Sequence, residues 1–273
     1  MTEEYIHGFT AEEQDRLTQM QSILNQKQIA SMNFVGVSRV LDVGSGLGQM
    51  TRAIARELPA ERCVIGVERS EMQIEEALRQ AIAGNEAELV EFRRGDATDL
   101  PLSDDEWESF DLVHGRFILE HVTDPLAVVR QMVRATRVGG QIVLLDDDHE
   151  LLRVYPQCME LQMAWQAYWE SYRLLGMDPL IGRKLGSLLY EAGIRNIRID
   201  SVFYGAHFGE ELFDPVVNNL IGVMAGAVDL LSEHDLMSRD EMKSAVSAIH
   251  KWRKQESASL WYSLPLAAGI KER

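Results

Sequence analysis

The chain is poor in cysteine, in basic residues and in long apolar runs, and each shortage closes off a class of protein. Its 273 residues hold two cysteines, Cys63 and Cys158, in separate segments, so neither a disulfide framework nor a paired-cysteine metal knuckle fits. Lys and Arg number 27 against 43 Asp and Glu, for a formal net charge of -16. An acidic surface repels phosphate backbones, and the basic residues are scattered, so no nucleic-acid partner is expected. No apolar run reaches the ~20 residues of a bilayer span. The opening Met1-Thr2-Glu3-Glu4-Tyr5 is acidic, where a secretory leader is basic and then apolar. These absences lead us to expect a soluble, cytoplasmic protein. With 46% hydrophobic residues it can bury a full core as one domain, with room for an appended lid.

What is present is organised around Val40-Leu41-Asp42-Val43-Gly44-Ser45-Gly46-Leu47-Gly48-Gln49. The pattern predicts a short buried strand, a glycine turn and the start of a helix. Such a turn lets a ligand approach the backbone and aims free helix N–H groups at it. The dinucleotide fingerprint Gly-x-Gly-x-x-Gly would need glycine at 49, where this chain has Gln49. Asp42, two places before the first glycine, would repel a pyrophosphate and suits a ligand that carries an ammonium group.

Further signals follow at regular intervals. A second strand, 63–68, ends in Glu68, 22 residues after Gly46, which is about the spacing of the acid that accepts from ribose hydroxyls in nucleotide-binding βαβ units. Arg69-Ser70 opens the next helix, 71–83, with Met72, Ile74, Ala77, Leu78 and Ala81 expected inward. A third strand, 89–93, runs into Gly95-Asp96-Ala97-Thr98-Asp99-Leu100-Pro101. A fourth is Phe110-Asp111-Leu112-Val113, followed by a turn at 114–116 and Leu119-Glu120-His121-Val122. Asp124-Pro125 caps a helix that should end at Arg137-Val138-Gly139-Gly140 ahead of a fifth strand, 141–145. Strands and helices alternating in this way argue for a parallel sheet covered on both faces, with the ligand at the strands' carboxyl ends.

Asp-x-Gly-x-Gly-x-Gly, Gly-Asp-Ala, and Phe-Asp-Leu-Val with Leu-Glu-His-Val together resemble the motifs of class I S-adenosylmethionine (SAM)-dependent methyltransferases, in particular those acting on small molecules. The resemblance covers about residues 5–270 and is most specific from 40 to 145. It implies a doubly wound, seven-stranded, mostly parallel sheet with helical cap insertions at about 150–180 and 210–257, preceded by a helical cap segment over 1–36. It also implies SAM as cofactor, S-adenosylhomocysteine as product, and a small-molecule acceptor. The implied cofactor residues are Asp42, Gly44, Ser45, Gly46, Gly48, Glu68, Arg69, Asp96, Ala97 and Arg116. Asp96 would accept from the adenine amino group and Ala97 would supply a backbone N–H.

The catalytic group stays open, with His121 the candidate base and His114 and His149 alternatives by location. Asp146-Asp147-Asp148-His149-Glu150 carries metal-type ligands without metal-type geometry, so no metal is expected, and the run reads as a solvated or pocket-lining loop. Tyr5, His7, Arg16 and Gln21 are the polar contacts that a closing N-terminal helix would offer. Trp165, Tyr168, Trp169 and Tyr172 give one aromatic helix face, equally fit for a core or for a lid over an apolar or planar acceptor. Gly182-Arg183-Lys184-Leu185 and Leu189-Tyr190-Glu191-Ala192-Gly193 resemble the helix before the family's sixth strand. A nicotinamide-dependent oxidoreductase, or a SAM-binding protein without methyl transfer, is the alternative reading.

Overall fold

The computed structural model describes residues 24–59, 62 and 64–273. Tyr5, His7, Arg16, Gln21 and Cys63 lie outside the described residues. The chain divides into two compact units. One comprises Asn25–Asp148, Leu180–Val202 and Leu264–Arg273; the other has its described residues in His149–Pro179 and Phe203–Ser263, with Leu24.

In the first unit, β1 (Val40–Val43) is four buried residues between β2 (Val64–Glu68) and β4 (Phe110–Arg116). The parallel sheet continues from β2 to β3 (Val90–Arg94) and from β4 to β5 (Thr136–Leu145). The antiparallel segment Leu266–Ile270, the end of β8 (Ser259–Ile270), then pairs with β5, and β7 (Asn196–His207) pairs with β8. Strand order therefore reverses at β1 and β4, which opens a crevice beyond their carboxyl ends. Helices α1 (Gln49–Glu57), α2 (Glu71–Ala83), α3 (Pro125–Ala135) and α5 (Leu185–Glu191) complete this unit. Continuous Val/Leu/Ile runs make strands buried on both faces, and Phe110, Met132, Val129, Ile142 and Leu189 pack into one core with them.

The second unit holds α4 (Met159–Leu174), α6 (Phe213–Gly226), α7 (Val228–Glu233) and α8 (Arg239–Trp252), together with β6 (Arg153–Tyr155) paired antiparallel to Ser259–Trp261 of β8. Tyr168 and Tyr172 are 2% and 1% exposed, so the aromatic face of α4 is largely core. Their hydroxyls share a hydrogen bond of 2.8 Å. Ser238 and Glu241 form a reciprocal capping box at the start of α8, as their spacing predicts.

Four expectations change. The sheet has eight strands rather than seven, because three residues, β6, pair with β8. The helix before β5 stops at Ala135, and the two glycines lie inside the strand. Thr136 turns its hydroxyl onto the Met132 carbonyl, and Gly139 N–H and Gly140 C=O bond the backbone of Lys271. A Cβ on Gly140 would lie 2.8 Å from the Phe110 carbonyl, so this glycine serves strand packing. In α2 only Ala77 and Ala81 are buried, while Met72 and Leu78 are 49% and 41% exposed, since small residues let this helix lie close to the sheet. Of the two readings of the acidic run after β5, a solvated or a pocket-lining loop, the solvated one fails at Asp146 and Asp148. Asp146 and Asp148 are buried, Asp148 takes a two-pronged bond from Arg183 (2.6 and 2.7 Å), and Gly182 N–H bonds the Asp147 carbonyl.

Met132, fully buried at the centre of the first unit's core, carries a direct test of this packing. Met132→Ala is expected to cost about 2–5 kcal/mol in urea-induced unfolding through lost contacts and a residual cavity.

Candidate active site

The crevice at the reversal of strand order is lined first by the glycine turn. Gly44, Gly46 and Gly48 have φ of 74°, 52° and 68°, left-handed values that glycine adopts without strain. Gly44 must also be glycine for space, because a Cβ there would lie 2.5 Å from Ile118 in the turn after β4. Gly44 and Ser45 donate their N–H groups to the Val67 carbonyl (2.9 and 3.0 Å), which folds the turn over the end of β2. Gly48 is the N-cap of α1, which has no side-chain cap, so the helix opens onto the turn with its first N–H groups uncapped by a side chain. The Ser45 hydroxyl is buried with no hydrogen-bond partner among the described residues.

Glu68 stands at the end of β2 and is bound into the turn. One carboxylate oxygen accepts from Gly46 N–H (3.1 Å) and the other from Ser70 N–H (2.8 Å). Arg69 beside it is exposed. Asp96, after β3, takes the hydroxyl and the backbone N–H of Thr98 on one oxygen (2.6 and 2.8 Å), and these bonds hold its carboxyl below the usual range, with help from Arg69. Ala97 is half-buried. The turn, Glu68 and Asp96 thus stand at the ends of three consecutive neighbours, β1, β2 and β3, in the arrangement a nucleoside group would span.

Asp42 is 2% exposed, and both its oxygens are engaged inside the protein. Thr51 of α1 donates to one (2.6 Å) and His114 to the other (2.7 Å), so each oxygen of the carboxylate expected to face an ammonium group already has a protein partner. His114 is a buried residue of β4, in register with Asp42, because the strand runs on through 114–116 instead of turning there. Its other ring nitrogen meets Gln28 (2.9 Å). Arg116, 8% exposed, donates to Gln28 (3.1 Å) and Asn25 (2.7 Å). Burial lowers its pKa to about 10, against the pull of Asp42, and it remains cationic at neutral pH. Phe117 follows with φ of 52°, a left-handed value that a bulky residue adopts only under constraint.

His121 is part-exposed on a short turn, with Nε2 3.5 Å from the carboxylate of Glu120. Glu120 is 3% exposed, and burial pushes its pKa up to about 8. Asp146 is likewise raised, by burial and by the neighbouring Glu120 and Asp147, although it accepts the backbone N–H groups of Ile118, Leu119 and Asp147. His149, in the other unit, is buried against the rings of Trp165, Tyr168 and Tyr172. Sequence reasoning missed Asn25, Gln28, Thr51 and Glu120. The amide pair lies in a segment whose helical period draws attention to its apolar residues, and Glu120 reads as an ordinary acid within Leu-Glu-His-Val.

The sheet, with its glycine turn at the reversal of strand order, defines a doubly wound α/β protein. A family model described as a methyltransferase domain matches residues 36–193, and the chain belongs to that family. The resemblance to class I SAM-dependent methyltransferases read from the motifs is borne out. An uncharacterised methyltransferase of Schizosaccharomyces pombe is 29% identical over 222 residues, 79% of this chain and 78% of the relative. The demethylmenaquinone methyltransferase of Lactiplantibacillus plantarum is 26% identical over 210 residues, 67% of this chain and 83% of the relative. A solved structure of a methyltransferase candidate from Bacillus halodurans C-125 superposes with a TM-score of 0.58 at 20% identity, covering 92% of this chain and 100% of its own, a likeness of fold alone. No helix among the described residues is long and apolar enough to cross a membrane.

Two predictions follow from the site's geometry. Gly48→Ala would force a side chain into the left-handed region, with Cβ 2.7 Å from Cε1 of Phe92. Strain and overpacking together are expected to cost about 2–5 kcal/mol, measurable by denaturant unfolding. Glu120 holds a proton in the folded protein at pH values where the unfolded chain has released it. Stability should therefore fall as pH rises from about 5 to 8. Glu120→Gln, which cannot ionise, should flatten that fall in thermal melts recorded across the same range.

Proposed function

We propose that this protein transfers the methyl group of SAM to a small-molecule acceptor, and that the glycine turn, Glu68, Asp96, Ala97, Arg69 and Arg116 form its cofactor site. The observation that carries the reading is the turn itself: three left-handed glycines, with the Glu68 carboxylate docked on Gly46 N–H, in a chain of the methyltransferase-domain family. The residues present suit the group. Gly46 leaves open space where a side chain would stand, with only the Gln73 side chain in ordinary contact range of a Cβ. One oxygen of Asp96 is not engaged by the described residues, and Glu68 keeps lone pairs for ribose hydroxyls beyond its two backbone bonds.

Bound there, SAM supplies a methyl carbon on a sulfonium, which is transferred by in-line displacement with neutral S-adenosylhomocysteine leaving. The chain's own work is positioning. The backbone of the turn and the carboxylates of Glu68 and Asp96 fix the nucleoside, and Arg116 offers a buried cation suited to an amino-acid carboxylate. Orienting donor and acceptor in this way removes much of the entropic barrier to a bimolecular reaction. A general base is required only for an acceptor that must lose a proton, and His121, next to Glu120 and part-exposed, is the candidate.

The acceptor we infer is apolar or aromatic, and we assign its recognition to the inserted segment after β5. The aromatic side chains Trp165 and Tyr204 of the second unit, each in ring contact with Tyr262, support that class. The Lactiplantibacillus relative is named for demethylmenaquinone.

Calorimetric titration with SAM, S-adenosylhomocysteine and NAD in parallel tests the reading. We expect micromolar binding of the first two and none of NAD, with Glu68→Ala weakening SAM by at least about tenfold through loss of charge-assisted hydrogen bonds. Binding of NAD alone would leave only the fold standing.

A further inference from the structure

Two side-chain amides on one helical stretch hold both flanks of the glycine turn. Asn25 and Gln28 lie three apart in the helix over residues 24–29, so they project from one face. Asn25 donates to the backbone carbonyl of Gln49, the residue directly after Gly48 (3.2 Å). Gln28 reaches the other flank through His114, which donates to Asp42, two residues before Gly44. Gln28 and His114 are fully buried and Asn25 is 8% exposed.

The hydrogen positions in this chain are forced by donor counting. A guanidinium only donates, so the Gln28 oxygen faces Arg116 and the Gln28 nitrogen faces the imidazole. An amide nitrogen also only donates, so Nε2 of His114 must be unprotonated and the hydrogen must sit on Nδ1, pointing at Asp42. Turning the amide over would set two donors against each other at Arg116. The same guanidinium takes the Asn25 oxygen and thereby leaves the Asn25 nitrogen for Gln49. On β5 the register neighbour of His114 is the apolar Val143, so the charged groups governing the ring are Asp42 on β1 and, through Gln28, Arg116 on β4.

We propose that His114 is a positioning residue: as the neutral Nδ1–H tautomer it is the relay by which Gln28 holds Asp42, and the Asn25–Gln28 pair sets the glycine turn for the cofactor. This rests on the reading of that turn as the SAM site. No step of the chemistry passes through His114. Its contribution is to keep the entry and exit of the turn at fixed positions relative to one helical face.

Nitrogen NMR of histidine-labelled protein tests the tautomer, with the His114 signals assigned by their loss in His114→Leu. A protonated Nδ1 and an unprotonated Nε2 are expected, and the opposite pattern or a doubly protonated ring would overturn the relay. Titration of Gln28→Leu, His114→Leu and the double variant with S-adenosylhomocysteine tests the consequence. Each single change should weaken binding about tenfold, and the double change no more than the worse single, because both break the same chain. The KM for SAM should rise more than kcat falls, a split that general loss of stability does not produce. Unchanged affinity in Gln28→Leu, or strictly additive losses, would sink the proposal. Should His114→Leu fail to fold, Gln28→Leu still decides the matter from the other end of the chain. Absence of binding by the unsubstituted protein would instead remove the cofactor reading, and this proposal with it, before any variant is compared.

Discussion

The parallel pairing of β1 with β4 is the constraint on which the site depends. In matched register it sets Asp42 beside His114, between buried strand neighbours such as Leu41, Val43 and Val113. A carboxylate and an imidazole in such surroundings cost several kcal/mol unless every polar atom finds a partner. The partners come from two places, Thr51 on α1 and Gln28 on the helical stretch 24–29, and Gln28 is held in turn by Arg116 at the end of β4. The requirement to satisfy two buried groups therefore fixes how the segment before the sheet and the helix after the glycine turn are joined to the strands.

The same device recurs along the crevice. Glu68 accepts the N–H of Gly46, and Asp146 at the end of the crevice beyond β5 accepts those of Ile118 and Leu119. Carboxylates from one strand end thus pin the turn that follows a neighbouring strand, by charge-assisted bonds to backbone N–H groups. Phe117, a bulky residue in the left-handed region just before this turn, needs such an external hold, whereas Gly44, Gly46 and Gly48 take up their values without strain. The cost at Asp146 is a raised pKa, from burial first and then from the neighbouring Glu120 and Asp147. Part of the chain's large acidic excess is in this way internal, although composition presents it as a surface property.

The motifs made much of this legible. Glycine at 44, 46 and 48 has few structural uses so close together after an apolar run, and Glu68 at its spacing follows from the βαβ geometry. Asp124-Pro125 and Ser238 with Glu241 announce helix starts because capping is local chemistry. The errors fell where a local signal has two outcomes. Gly139-Gly140 is a good helix stop, but the helix had already ended at Thr136, whose hydroxyl closes it, and the glycines are needed for close packing against the Phe110 carbonyl. Met72 and Leu78 have helical spacing like Ala77 and Ala81, yet close packing on the sheet selects the small pair. Asp148 reads as a surface acid until Arg183, 35 residues on, is brought to it.

What the sequence by itself determined is the order of strands and helices, the glycine turn, and the acids at strand ends, because each depends on contacts within a few residues or on one βαβ unit. What only the tertiary structure decided is which acids are sealed inside the protein and which stay exposed. Asp42 and Asp96 look alike as acids near glycines at strand ends, but one is sealed by His114 and Thr51 and the other stands at the surface. His114 and His121 look alike as histidines after the fourth strand, but β4 extends through His114 and buries it, while His121 lies beyond on an open turn. The physical reason is that the decisive hydrogen-bond partners come from residues 72 to 91 positions away, which no local pattern encodes.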